Sequence, residues 1–382
     1  MRSNSPLLAL TSSALLLPAY QPPVQADAPP TEGELGLRYS KYSEDDLHEG
    51  RLMRGDHERY EIDITQAHLL APVGENFSFA LDVQKEHMSG ASPWFVGVRG
   101  NGDIQVYMSG ASISDTRTDI SVTTRYYFPR GNVGLNYANS SENDYKSDAL
   151  TVDAAWNSSD GQRSFRGAIS GSDDHLKPTE GRTPIQVERE TRDMRSVFLG
   201  ASQIISKQAI IQFGLSYTVL NGYLTDPYKR NDLRPDERKQ WAASIAYRQF
   251  LPHPGAALHL DYRFYDDDWG INSHTLEASW HQRIHPSLRL VPYARYYSQS
   301  EADFFTQGYR QSKRYYADDY RLSSFGALTL GARMVVSLKD WDFTVVGERY
   351  RSDNSWSLYS GDESPALVDF WRFSVGFNYS FN

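Results

Sequence analysis

From about residue 34 to the end, the chain alternates apolar and polar residues with few breaks. The last segment is typical: Phe373, Val375, Phe377, Tyr379 and Phe381 fall on one face, and Ser374, Gly376, Asn378 and Ser380 on the other. Period two is the signature of a β-strand with unlike faces. Read this way, strands are expected around Leu35–Tyr39, Tyr60–Ile64, Phe77–Val83, Ile120–Phe128, Val133–Tyr137, Leu150–Trp156, Phe165–Ile169 and Val197–Ala201. Eight more follow around Phe213–Val219, Trp241–Tyr247, Leu258–Phe264, Leu276–Trp280, Leu290–Tyr296, Leu328–Ala332, Phe343–Val345 and Phe373–Phe381. Gly, Pro, Asn and Asp punctuate them, as in Pro129-Arg130-Gly131-Asn132 and Pro252-His253-Pro254-Gly255.

The connections alternate in length. Those near 72–76, 129–132, 158–161, 205–208, 251–255, 285–288 and 337–340 are short. Those near 43–56, 88–116, 141–146, 173–192, 222–237, 266–272, 299–318 and 352–366 are mostly longer and more charged. A soluble sheet would cover its apolar face with a second layer, whereas a closed barrel turns that face to lipid. Short turns on one rim and long loops on the other belong to the second case. The expected fold is all-β: a transmembrane, antiparallel, up-and-down β-barrel of about sixteen strands (14–18) in the bacterial outer membrane.

Composition sharpens this picture. Among 382 residues there are 25 Tyr, 17 Phe and 8 Trp, and Tyr and Trp suit lipid–water boundaries. Mean hydropathy is low and no run of eighteen apolar residues occurs, so a spanning helix is not expected. A net charge of −9 argues against nucleic acid as a partner. Absent cysteine removes disulfides, thiolate metal sites, covalent haem attachment and a lipobox.

The N-terminus reads as an export signal over residues 1–26. Arg2 precedes the apolar Leu7–Leu17 core, and cleavage after Val24-Gln25-Ala26 is expected. A short periplasmic linker (27–33) and a single barrel domain (34–382) would follow.

With apolar residues outward, their neighbours line the lumen. His259, Asp261 and Arg263 then point inward, followed by Thr275, Glu277, Ser279 and His281, and by Arg289, Arg295, Arg321, Arg333, Glu348 and Arg372. These residues form either a satisfied polar interior or a ladder of charges along a solute pathway. His259, Asp261, Arg263, Glu277, Arg295 and Arg321 are the pore-lining candidates. Asp261, Arg263, Asp267, Asp268 and Arg295 are expected to make one charged cluster near the outer mouth.

Carboxylates gather in the long loops at Glu142, Asp144, Asp266–Asp268, Glu301, Asp303, Asp318 and Asp319. A solvated acidic rim and a calcium site both fit, although no twelve-residue calcium loop is present. No metal or cofactor is assigned. Ser89-Gly90-Ala91-Ser92 echoes as Ser109-Gly110-Ala111-Ser112 in the 88–116 loop, which is either a constriction folded into the lumen or a surface hairpin. Ser279 with His281, and His259 with Asp261, are the nearest approach to hydrolase chemistry. No nucleophile elbow or zinc helix accompanies them, so catalysis is not expected.

Several loop words resemble an uncharacterised bacterial family, domain-of-unknown-function family 3570. They are Ser89-Gly90-Ala91-Ser92-Pro93, Ser141-Glu142-Asn143-Asp144-Tyr145, Gly222–Lys229 with Asp226 and Pro227, and Arg234–Arg238. Asp261-Tyr262-Arg263, Asp267-Asp268-Trp269-Gly270, Arg295–Gln299, Ala302-Asp303-Phe304 and Asp319-Tyr320-Arg321-Leu322 complete the set. The resemblance implies an exported, barrel-like protein of Gram-negative bacteria with no established substrate or active site. It also implies envelope lipoprotein or flavin-associated redox partners. The barrel-assembly machinery would read the last strand, although Asn382 follows the aromatic Phe381. The expected function is a channel or export/uptake conduit for small polar or charged solutes. A plugged scaffold barrel of an envelope redox system is the alternative, and an outer-membrane hydrolase the third.

Overall fold

The computed structural model describes residues 28–100, 102–109, 113–179, 185–229, 231–307 and 314–381. The expected signal peptide and the Gly110-Ala111-Ser112 echo lie outside the described residues. In chain order the strands are β1 (Gly33–Glu44), β2 (Leu52–Arg54), β3 (Glu61–Val73), β4 (Phe77–Gly90), β5 (Pro93–Val98), β6 (Ile104–Met108) and β7 (Ile113–Phe128). Next come β8 (Gly131–Ser141), β9 (Tyr145–Asn157), β10 (Arg163–Leu176), β11 (Glu190–Ser206), β12 (Ala209–Gly222), β13 (Asp232–Leu233) and β14 (Glu237–Leu251). The last are β15 (Ala256–Asp267), β16 (Asn272–His285), β17 (Leu288–Gln299), β18 (Tyr316–Ala317), β19 (Phe325–Leu338), β20 (Trp341–Asp353) and β21 (Phe370–Phe381).

Sixteen of them close into one antiparallel barrel in the order β1-β3-β4-β7-β8-β9-β10-β11-β12-β14-β15-β16-β17-β19-β20-β21. The seam is a continuous ladder from Gly33↔Phe381 to Glu44↔Phe370, so the wall has no free edge. Every expected wall strand is present. The five additional strands, β2, β5, β6, β13 and β18, are short and lie in the long loops.

The outer surface is apolar all round: Leu37, Leu135, Leu150, Leu199, Leu215, Leu276, Leu330 and Phe373 are all exposed. Near the short turns an aromatic girdle forms, with Phe77 against Tyr126 at 4.9 Å and Trp341 against Tyr379 at 4.6 Å. Near the long loops a second contains Tyr217 against Trp241 at 4.3 Å. Such a belt between two girdles requires hydrocarbon around it. The protein is therefore an outer-membrane barrel surrounded by lipid.

One strand faces the opposite way from the sequence reading. The register Leu35↔Leu69 and Leu37↔Ala67 turns the odd residues of β3 outward and sends Tyr60, Ile62 and Ile64 inward. Tyr60 is buried with Met88, and Ile62 packs on both. Near the outer mouth the inner wall is apolar because something covers it there.

Candidate functional site

That cover is a layer of loops with its own core. Leu47, Ala91, Val106, Met108, Tyr320 and Ala366 pack into one buried cluster drawn from four loops. Trp269, Ile271, Ala302, Phe304, Phe305, Ala317 and Leu322 form a second. β5 and β6 pair antiparallel, β2 adds to β6 in parallel, and β13 pairs with β18. Burial of these side chains, at about 25 cal/mol per Å² of apolar surface, supplies the drive that holds the layer in place. The 300–324 loop feeds both clusters and is the keystone.

The polar heart of the layer is Asp319, which is fully buried. Its side chain caps a 3-10 turn at Tyr320–Leu322 by accepting from the Arg321 N–H. Arg321 Nε donates to both Asp319 oxygens, at 2.8 and 3.0 Å. Arg234 Nη2 lies 2.9 Å and Lys229 Nζ 3.3 Å from Oδ2. Arg234 also holds Asp232 at 2.6 Å. In the Asp226-Pro227 turn, Asp226 Oδ1 accepts from the Tyr228 N–H at 3.0 Å. Burial alone would raise Asp319, but Arg321, Lys229 and Arg234 outweigh it and hold the carboxyl well below its ordinary range.

Asp318 shows the reverse balance. Burial pushes it up to about 7, against the pull of Lys229 and the Val96 N–H and with the push of Asp232 and Asp319. Its folded pKa thus exceeds its unfolded value of 3.8. The folded layer keeps a proton that an opened loop releases, so layer stability falls as pH rises from about 4 to about 7. Opening events are expected to be more frequent at pH 8 than at pH 5, and Asp318→Asn should flatten that slope. Equal slopes in bilayer recordings of the two proteins would refute the assignment.

The 91–112 loop reaches across the mouth. Trp94 Nε1 donates to the Tyr228 carbonyl at 3.0 Å, and the Val96 N–H donates to Asp318 at 2.8 Å. The 223–236 and 300–324 loops that receive these bonds each leave the wall six strands away around the barrel. On the near side Arg59 pairs with Glu44 at 2.7 Å and donates to the Ala366 carbonyl at 3.0 Å. Arg59, Tyr60, Ser92, Pro93, Lys229, Tyr320 and Arg321 enclose a small cavity where these parts meet. Within this loop β5 and β6 form an antiparallel hairpin that is bonded to the facing loops.

Below the layer the inward charges are paired along the wall. Arg248 meets Asp261 at 2.6 Å and Arg295 meets Glu277 at 2.6 Å, while Asp261 and Glu277 are cross-strand neighbours. His259 stacks on His281 at 3.9 Å, and Arg263 lies over Tyr265 at 5.5 Å. Ser279 Oγ is 3.2 Å from His281 Nε2. On the far side Arg372 meets Glu348 at 2.9 Å.

Three sequence expectations are corrected here. Arg321 is in the loop layer, not on a wall strand. Asp261, Arg263, Asp267, Asp268 and Arg295 are not one cluster. Asp267 binds Arg238 at 2.5 Å and Tyr265 at 2.6 Å, and the exposed Asp268 caps the Lys239 N–H at 2.9 Å. Trp269 is buried, stacks with Arg238 at 4.3 Å and donates to the Glu237 carbonyl at 2.9 Å. Nor is the acidic rim solvated: Glu142, Asp144, Asp267, Asp318 and Asp319 are all buried, although Asp268 and Asp303 are exposed. Of the remaining motif residues, Ala91, Ser92, Asp226 and Pro227 are buried in the layer, while Ser89 and Gly90 end β4 beneath it.

The family model described as "Protein of unknown function (DUF3570)" matches residues 7–370. No curated protein matches the sequence. Among solved structures, CdiB from Acinetobacter baumannii is similar with a TM-score of 0.52 and 10% identity, covering 91% of this chain and 60% of CdiB. This chain thus spans less than two thirds of that protein. A BenF-like porin from Pseudomonas fluorescens Pf-5 aligns with a TM-score of 0.46 and 9% identity, covering 91% and 98% of the two chains. OccD3 (OpdP) of Pseudomonas aeruginosa gives 0.43 and 11%, covering 96% of each chain. At these identities the likeness to CdiB is one of fold.

Proposed function

The chain belongs to the DUF3570 family, and from that premise we propose that it is an outer-membrane conduit for small polar or charged solutes whose outer mouth is held shut by the loop layer. The observation that carries this reading is the 91–112 loop, bonded across the mouth to Tyr228 and Asp318. Beneath it lies a polar inner wall in which Asp261 and Glu277 are paired with Arg248 and Arg295, beside His259 and Arg263, and a passing ion would meet these groups in sequence. The layer is built from loops, which can open without disturbing the wall ladder. Solute movement is diffusive and needs no covalent step. The last strand, ending at Phe381, would engage the barrel-assembly machinery.

The test is single-channel recording of the refolded protein against a variant in which residues 94–108 are replaced by a short Gly-Ser linker. Rare, brief openings in the wild type and a steady conductance in the variant are expected. Silence from both would overturn the conduit. That outcome would favour a plugged scaffold for an envelope redox assembly with lipoprotein or flavin-associated partners, a reading supported by the buried ion pairs around Asp319.

A further inference from the structure

Three carboxylates converge where the 142–144 loop meets the wall. Asp115 projects inward from β7, beside Glu142 and Asp144. Relative exposures are 4%, 7% and 2%, and a set of ligand oxygens, one from each residue, lies within 4.8 Å of one another. Both Glu142 oxygens, Asp115 Oδ2 and Asp144 Oδ1 find no hydrogen-bond donor among the described residues. Buried carboxylate oxygens without donors are costly unless a proton or a bound cation neutralises them.

The nearby fixed cation is already engaged. Arg117 donates to Asp119 at 2.9 Å and to Ser140 at 3.0 Å, and the buried Glu86 adds a further acid to its surroundings. The other oxygen of each aspartate is tied down. Asp115 Oδ1 accepts from Asn143 Nδ2 at 2.6 Å and the Thr116 N–H at 2.7 Å, and Asp144 Oδ2 accepts from the Tyr228 hydroxyl. These bonds fix the orientation of the Asp115 and Asp144 carboxylates, as outer partners do around a metal.

We propose that Asp115, Glu142 and Asp144 bind a single hard divalent cation, calcium in preference to magnesium. Oxygens bound at about 2.4 Å to one calcium ion are at most about 4.8 Å apart, and one oxygen from each residue satisfies that limit. An all-carboxylate set suits calcium or magnesium over soft metals. A direct, carboxylate-rich shell favours calcium, because magnesium dehydrates reluctantly. Glu142, with both oxygens available, is placed to bind in bidentate fashion. Through the Asp144–Tyr228 bond the ion would tie the 142–144 loop to the 223–236 loop. The site itself stands whether or not the barrel conducts.

The test is calorimetric titration of the chelator-treated, refolded full-length barrel with calcium chloride, and separately with magnesium chloride. One calcium per chain is expected, with an affinity in or tighter than the range of about 0.1–1 mM typical of extracellular calcium modules, and weaker magnesium binding. Glu142→Gln and Asp115→Asn should each weaken calcium binding at least about thirty-fold. An independent readout on the wild type is terbium emission sensitised by Tyr228 and displaced by calcium, which holds even if a variant fails to fold. No calcium heat and no displaceable emission from the wild type, or equal affinity in a folded Glu142→Gln, would overturn the site.

Discussion

Replacing Asp319 with Asn is expected to turn a mostly closed barrel into a mostly open one. This single carboxylate is shared by Arg321, Arg234 and Lys229 in a space closed to solvent. Asparagine is nearly the same size, so packing is kept and only the charge is lost. Two guanidinium groups and an ammonium would then repel one another, balanced in part by Asp232 and Asp226. Removing one partner of a buried pair costs about 3–5 kcal/mol. If that energy falls on the layer alone, the closed-to-open ratio drops by about two to three and a half orders of magnitude, since each 1.4 kcal/mol is tenfold. Bilayer recordings should show long openings, and added protease should cut within the 223–236 and 300–324 loops while the wall strands stay protected. Conductance and cleavage matching the wild type would mean that Asp319 does not latch the layer.

The wall was legible and the layer above it was not, for reasons that individual residues make clear. Leu135, Tyr137, Leu150 and Val152 alternate because every second one touches lipid, and that rule acts locally along the chain. The inward placement of His259, Asp261, Glu277 and Arg295 followed from the same parity. Tyr60 and Ile64 broke it because the loop layer supplies a second apolar neighbour, inside the barrel, which alternation cannot distinguish from lipid. Leu47, Val106, Tyr320 and Ala366 come from four loops and meet only in three dimensions, so no period marks them. Arg321 was assigned to a wall strand although its neighbour Asp319 caps a 3-10 turn. The Asp319-Tyr320-Arg321-Leu322 and Asp226-Pro227-Tyr228-Lys229 words were visible, but not their contact. Asp115 could have been found: extending the β7 alternation back from Ile120 through Thr118 and Thr116 already places Asp115, Arg117 and Asp119 inward.

The second large effect is expected in the wall, at Gly134. Arg125 on β7 and Asp153 on β9 are separated by β8, and they join across it in two hydrogen bonds of 2.7 and 2.9 Å. Gly134 is the residue they pass over. A Cβ there would stand 2.5 Å from both Arg125 Nη2 and Asp153 Oδ1, closer than carbon approaches either. The ends of both side chains would have to part, and Arg125 is buried. Gly134→Val should therefore combine overpacking, at about 1–3 kcal/mol, with loss of a bidentate pair, at about 3–5 kcal/mol if Arg125 finds no other anion. Asn132, which accepts from Arg125 Nη1 at 2.5 Å, can recover only part of that. Gly347 is the control: it lies on β20 with nothing within 4 Å of an added Cβ, and Gly347→Val also gives a strand the β-branched residue it favours. In heat-modifiability gels of the refolded proteins, Gly134→Val should unfold well below the wild-type temperature and Gly347→Val at or near it. If both variants match the wild type, the Arg125–Asp153 bridge does not brace the wall; if both fall equally, the loss comes from the strand backbone and not from the bridge.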